Sequence, residues 1–361
     1  MDAEMASWKS TCNYVDEVPP PGENIVDGMW IFKMKRPPGS PLAFKARYVV
    51  RGFRELQERH TCTDLGELRS YLGLHITQDR ARRTITLTQS HMVQQVLQRF
   101  DFTWSSPGPT PLSTGHSLSA PSLDESVEPS GPYPELVGCL MYLMTCTRPD
   151  LAYPLNLLAR YMAPGRHQTM QWEAAKRVLR YLCSTSGMGL VLGGPGSVVL
   201  TGHSDASWAD DQMTHRSTKR YSFSLGTGSV SWRSTCSSSV LCSSCEAKMC
   251  AGAMAAQELR WLTYLLTDLG EWPRSPPVLY VDNKAMIALC QDQRLEHRTK
   301  HIALHYFLTQ ALQQRGQLRL AYVTTQANTA DVFTKALWSS DHQRFYPALG
   351  LVPTLPHLLV S

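Results

Sequence analysis

Four carboxylates in this chain stand at changes of local pattern: Asp205 in Thr201-Gly-His-Ser-Asp-Ala-Ser-Trp-Ala-Asp210, Glu246 in Ser243-Ser-Cys-Glu-Ala-Lys248, Asp282 in Val278-Leu-Tyr-Val-Asp-Asn283, and Asp331 in Ala330-Asp-Val-Phe-Thr-Lys-Ala-Leu337. The apolar runs Val198-Val-Leu200 and Val278-Leu-Tyr-Val281 predict strands, so Asp205 is expected at an exposed strand end and Asp282 just after a buried strand. Glu246 is expected to open one helix and Asp331 another. A lone acid is ordinarily a solvated surface group. Four on one face make a cage for hard divalent cations, because Mg²⁺ takes oxygen ligands and keeps part of its water shell. Two such ions roughly 4 Å apart activate a water and stabilise the leaving oxygen of a phosphodiester.

The order of these acids and their flanks narrow the chemistry. Asp on a first strand, Glu on a first long helix, Asp after a fourth strand and Asp on a last helix, with Arg216-Ser-Thr218, Val230-Ser-Trp-Arg233, Tyr280-Val-Asp-Asn-Lys-Ala285 and Glu296-His-Arg-Thr-Lys-His-Ile302 around them, resemble the ribonuclease H domain of copia-type retrotransposon Pol polyproteins. The resemblance implies that Asp205, Glu246, Asp282 and Asp331 hold two Mg²⁺ ions, with Mn²⁺ as a substitute, and that the substrate is the RNA strand of an RNA–DNA hybrid. It implies discrimination through 2′-hydroxyls. Ser204, Ser207, Ser244 and Asn283 are the expected polar contacts, and Lys219, Arg220 and Lys284 the expected phosphate partners. His301 alone among His297, His301 and His305 has a counterpart in the family motif, with an implied part in product release or ion turnover. The chain departs from the family where Cys245 replaces the customary Thr before Glu246, and where Lys248 stands at a position that commonly carries an acid.

Elements must bring these groups together. Strands are expected at Val198–Ser204, Arg220–Leu225, Val230–Thr235 and Leu318–Val323, with a long helix from near Cys245 to Leu269 that Gly270 stops and another from about Lys300 to Gly316. The fold expected is α/β: a ribonuclease H-like mixed five-stranded sheet with helices over residues 197–340. Ahead of it, residues 1–22 read as a disordered lead-in and 23–103 as a reverse transcriptase remnant, a fingers hairpin and the end of a palm. Lys45 and Arg47 on that hairpin match family residues that face template and nucleotide phosphates. Residues 104–133 form a Pro- and Ser-rich linker or surface wrap, 134–196 thumb- or connection-like helices, and 341–361 a tail. Ser90 is expected to cap a helix carrying Val93, Val96, Leu97 and Phe100 on one face. In the family a palm lies between the counterparts of Arg51-Gly-Phe53 and Asp64-Leu-Gly-Glu-Leu68. Here that stretch is missing, and no Tyr-Val-Asp-Asp tetrapeptide occurs, so the resemblance implies no polymerase activity and a chain joined across a deletion.

Composition sets outer bounds. The 361 residues leave room for two or three domains, and a net charge of +5 suits a polyanionic partner. Ten cysteines without paired metal spacing read as free thiols, and Cys242-Ser-Ser-Cys245 lacks the second half a zinc site needs. No apolar run approaches the roughly 20 residues of a membrane span. Neither a membrane nor a small-molecule substrate is expected as partner. The expected location is the cytoplasm, in virus-like particles of an active parent element, or the nucleus. Two rival readings remain at this point: a catalytically dead transposon remnant serving as a nucleic-acid-binding or interaction module, and a DNA integrase of related topology, which the fourth acid disfavours.

Overall fold

The computed structural model describes residues 28–35, 43–50, 67–113, 118, 131–163, 168–195, 199–211, 213–271, 275–291, 303–333 and 338–354, with the backbone alone at 28–50 and 303–307. Two compact units divide the chain, residues 1–68 and 69–361. In the first, β1 (Gly28–Lys35) and β2 (Ala43–Val50) pair antiparallel, which sets Lys45 opposite Lys33 and Arg47 opposite Ile31. The lead-in and the junction across the expected deletion lie outside the described residues.

The second unit carries two five-stranded sheets. One is assembled from β3 (Ser70–Tyr71), β4 (Leu74–Asp79), β5 (Thr84–Thr88), β6 (Met188–Gly193) and β12 (Leu351–Pro353), in the spatial order β12-β6-β5-β4-β3. The segment expected as a C-terminal tail is therefore partly structural: α8 (Ser339–Arg344), α9 (Tyr346–Leu349) and β12 return along β6, with Leu351 opposite Leu190. Helices α1 (Ser90–Arg99), α2 (Tyr133–Cys146), α3 (Ala152–Ala159) and α4 (Thr169–Thr185) share a core of Val93, Leu97, Leu136, Leu140, Leu155 and Val178. Burial of such aliphatic side chains, each contributing about 1.5–3 kcal/mol, is what holds the bundle. Ser90 is the first helical residue rather than the cap. Gln89 takes that position, and its buried amide oxygen accepts from the Thr147 hydroxyl at 2.7 Å.

The other sheet has the order β11-β10-β7-β8-β9, from β7 (Leu200–Ser207), β8 (Arg216–Leu225), β9 (Gly228–Val240), β10 (Val278–Val281) and β11 (Arg319–Tyr322). β7, β8 and β9 form an antiparallel meander, whereas β10 runs parallel to β7 and β11 parallel to β10. This is the mixed ribonuclease H-like sheet, and the strands of the meander run longer than the residue pattern indicates. α5 (Ser244–Asp268) lies across it, burying Met249, Ala255, Ala256, Leu259 and Leu262 against Leu200, Tyr221, Phe223, Leu279 and Val281. Gly270, at φ +80, ends the turn after α5, a conformation that favours glycine. α6 (Lys284–Gln291) and α7 (Ala303–Gln314) complete the layer.

The two sheets touch through backbone. Gly193 bridges Gly226, and a Cβ on Gly228 would lie 2.1 Å from the Val191 carbonyl oxygen. Only glycine lets β6 and β9 approach so closely.

Candidate active site

Asp205 lies inside β7 rather than beyond its end. It is buried, and the antiparallel register sets it directly opposite Arg220 of β8. Arg220 is fully buried and donates from Nη1 to Asp205 Oδ2 at 3.3 Å. Burial pushes the Arg220 guanidinium down to about 10 despite the opposing pull of Asp205, Asp210 and Asp331. Burial likewise raises the Asp205 carboxyl, which Arg220 counteracts and neighbouring Asp282 reinforces. Removing Asp205 would take from the buried Arg220 guanidinium one of the carboxylates that offset its charge.

Asp282 follows β10. The parallel register pairing Val281 with Ser204 places Asp282 one step further along, beside Asp205. Its carboxylate accepts from Lys248 Nζ at 2.7 Å on both oxygens and from the Thr325 hydroxyl at 3.1 Å. The same ammonium stands 3.6 Å from Asp205 Oδ1. Lys248 thus belongs to both aspartates.

Glu246 is buried in the first turn of α5, where Ser243 caps the helix by accepting from the Glu246 amide at 3.1 Å. The Glu246 carboxylate accepts in turn from the Cys242 amide at 2.6 Å. Trp208, which follows β7, donates to the Leu241 carbonyl at 2.8 Å and ties the acid-bearing strand to the loop before α5. Asp331 rides on a 3-10 turn, Thr329–Phe333, rather than the α-helix its flanks suggest. Val332 and Phe333 on that turn are buried with Phe345, Leu349 and Leu351. Asn328, also buried, donates to the Ser204 carbonyl at 3.1 Å and so pins the turn beside Asp205.

Asp205 and Asp282 come together at one end of the sheet, and in this conformation Glu246 and Asp331 do not join them in a ligand sphere. Among the described residues, no group of three or more His, Cys, Asp or Glu side chains could hold a metal ion. Asp205 and Asp282 do fit one cation, since an ammonium is already shared between them.

The other expected contacts separate into two groups. Lys219 and Ser207 are half-buried and Ser244 is exposed, all three near the acids in sequence and strand register. Asn283 Oδ1 accepts from the Met286 amide at 3.0 Å, so it starts α6, and Lys284 lies over the Tyr322 ring at 4.8 Å. Arg220 is excluded as a phosphate partner by its burial. Its role as counter-ion to Asp205 was not legible in the residues, because it depends on cross-strand register. His301 and His297 lie outside the described residues, as do the side chains of His305, Lys45 and Arg47. Every described cysteine is a free thiol, and no described helix is long and apolar enough to cross a membrane.

Similarity to known proteins is extensive in sequence. The chain is 33% identical over 289 residues to the retrovirus-related Pol polyprotein from transposon TNT 1-94 of Nicotiana tabacum, covering 78% of this chain and 21% of that protein. It is 35% identical over 301 residues to the corresponding polyprotein from transposon RE2 of Arabidopsis thaliana, covering 83% of this chain and 20% of that one. The chain thus spans about a fifth of the length of these curated relatives. Among solved structures, the N-terminal ribonuclease H domain of a Mycobacterium tuberculosis protein aligns at a TM-score of 0.29 and 12% identity, over 41% of this chain and 96% of that one. No family model matches the chain.

Proposed function

The chain belongs to the retrovirus-related Pol polyproteins of transposons, and from that membership we propose that its ribonuclease H-like sheet engages RNA–DNA hybrids and cuts their RNA strand with divalent metal. The observation that carries the proposal is the placement of Asp205 within β7 and Asp282 just after the parallel strand β10, close enough to share one cation. A bound Mg²⁺ or Mn²⁺ would supply the charge that generates hydroxide from water and steadies the departing 3′ oxygen. Asp205 and Asp282 would hold the cation, with Glu246 reaching in from α5 and Asp331 from the 3-10 turn. Arg220 opposes the burial that raises the Asp205 carboxyl. Lys219, Ser207 and Ser244 offer donors for phosphates and 2′-hydroxyls. Nucleotidyl transfer is not part of the proposal, because the sequence contains no Tyr-Val-Asp-Asp hairpin.

Cleavage of an end-labelled hybrid by the full chain is the test. Activity should require Mg²⁺ or Mn²⁺ and fall by about 10²-fold or more in Asp282→Asn, the size expected when one stabilising group is removed from a charged transition state. Equal cleavage by Asp282→Asn and the parent chain would remove the assignment. A second reading, a module that binds hybrids without cutting them, is favoured by one observation: the position that hydrolysis needs for a metal is taken by Lys248.

A further inference from the structure

The cation shared by Asp205 and Asp282 is part of the chain. We infer that Lys248 is an intramolecular latch on the acid pair, and that its ammonium and a divalent cation occupy that position in turn and never together. The inference rests on the reading of this pair as the metal position.

The geometry leaves little room for both. Lys248 Nζ is 2.7 Å from each Asp282 oxygen, so one ammonium spans the whole carboxylate, and it reaches Asp205 at 3.6 Å. A Mg²⁺ ion requires carboxylate oxygens at about 2.0–2.1 Å in an octahedral shell. Set on the same oxygens, it would lie against the ammonium with no group between them to screen the repulsion. Arg220 cannot give way, because its guanidinium is fully buried against Asp205. Lys248 can. Its side chain is 24% exposed, on a flexible four-carbon stem that starts in the second turn of α5. The latch also explains how carboxylates so close together are tolerated without metal. Asp205 has Arg220, and Asp282 has Lys248.

The latch therefore lowers metal affinity while sparing the fold any dependence on metal. Mn²⁺ binding to the full chain, followed by electron paramagnetic resonance, should be weak in the parent and at least about tenfold tighter in Lys248→Met, which keeps the reach and loses the charge. Lys248→Met/Asp282→Asn should lose that gain. Melting of the parent should be indifferent to Mg²⁺ against chelator, whereas Lys248→Met should melt lower in chelator and recover with Mg²⁺. Should Lys248→Met fail to fold, Lys248→Gln, which retains a donor, serves in its place. The latch is overturned if the parent binds Mn²⁺ as tightly as the uncharged variants, or if those variants bind no better than the double variant. Hybrid cleavage by the same proteins separates the two claims. Tighter Mn²⁺ binding without cleavage in any variant would keep the latch and remove the hydrolase. Strong parental cleavage with unchanged Mn²⁺ binding would do the reverse.

Discussion

His203 sits two residues before Asp205 on β7, its imidazole stacked on the Tyr280 ring with centroids 5.1 Å apart. Burial pushes its pKa down to about 4 from an ordinary value near 6.5. The unfolded chain takes up a proton as pH falls through about 6.5, while the folded chain does not until about 4. Stability should therefore be full above that window and fall by about 3 kcal/mol across it. His342 contributes in the same direction, since burial lowers it too. Urea titrations from neutral to acidic pH should show this slope, and His203→Phe, which preserves the stack, should flatten it. At this scale the sequence was informative about residue type and poor about pairing. The four acids stand out by their order and their flanks, since a single acid at a strand or helix end is ordinarily a solvated group. Arg220 reads as a phosphate ligand because nothing in Thr218-Lys-Arg220 announces that β8 pairs in the register that buries it. Lys248 stood out as a departure, but the reach of its ammonium to two separate aspartates is a property of the folded sheet.

Elements with strong local signals came out as their sequences indicate. α5 begins at a Ser243 cap and stops near Gly270, both features of side-chain and backbone chemistry within a few residues. The same cap positions Glu246, so it should be testable on its own. Ser243→Ala should cost about 1 kcal/mol, and Ser243→Asn, which can accept the same amide, should recover most of it in thermal melts. The element under Asp331 was harder. Its residues can form either an α-helix or a 3-10 turn, and the choice is made by Asn328, whose side-chain oxygen accepts from the Ala330 amide at 3.1 Å while its nitrogen reaches β7. A partner 124 residues away in sequence decides that local conformation.

Across the second unit the acid-bearing sheet is stitched to everything around it. Trp232 Nε1 donates to the Met144 carbonyl at 3.1 Å, Asn156 Nδ2 to the Ser234 carbonyl at 2.6 Å, and Arg160 pairs with Asp211 at 3.1 Å. Buried Arg148 and Asp150 form a bidentate pair that Tyr181 joins, and Tyr346 bonds to the Tyr181 hydroxyl at 2.7 Å. Gly228→Ala should test the contact between the sheets. Forcing a methyl group toward the Val191 carbonyl should cost about 1–3 kcal/mol or more, read as a lower urea midpoint. The resemblance implies a partition at residues 196 and 340, whereas residues 69–361 form one compact unit, and the sequence has no local mark of a sheet completed by residues 351–353. That late strand has a temporal meaning. A nascent polypeptide halted at residue 349 would present β6 with one flank unpaired, a sticky rim of amides and carbonyls open to other chains. Maturation of the layer begun at residue 70 must wait until synthesis has passed far beyond the acids.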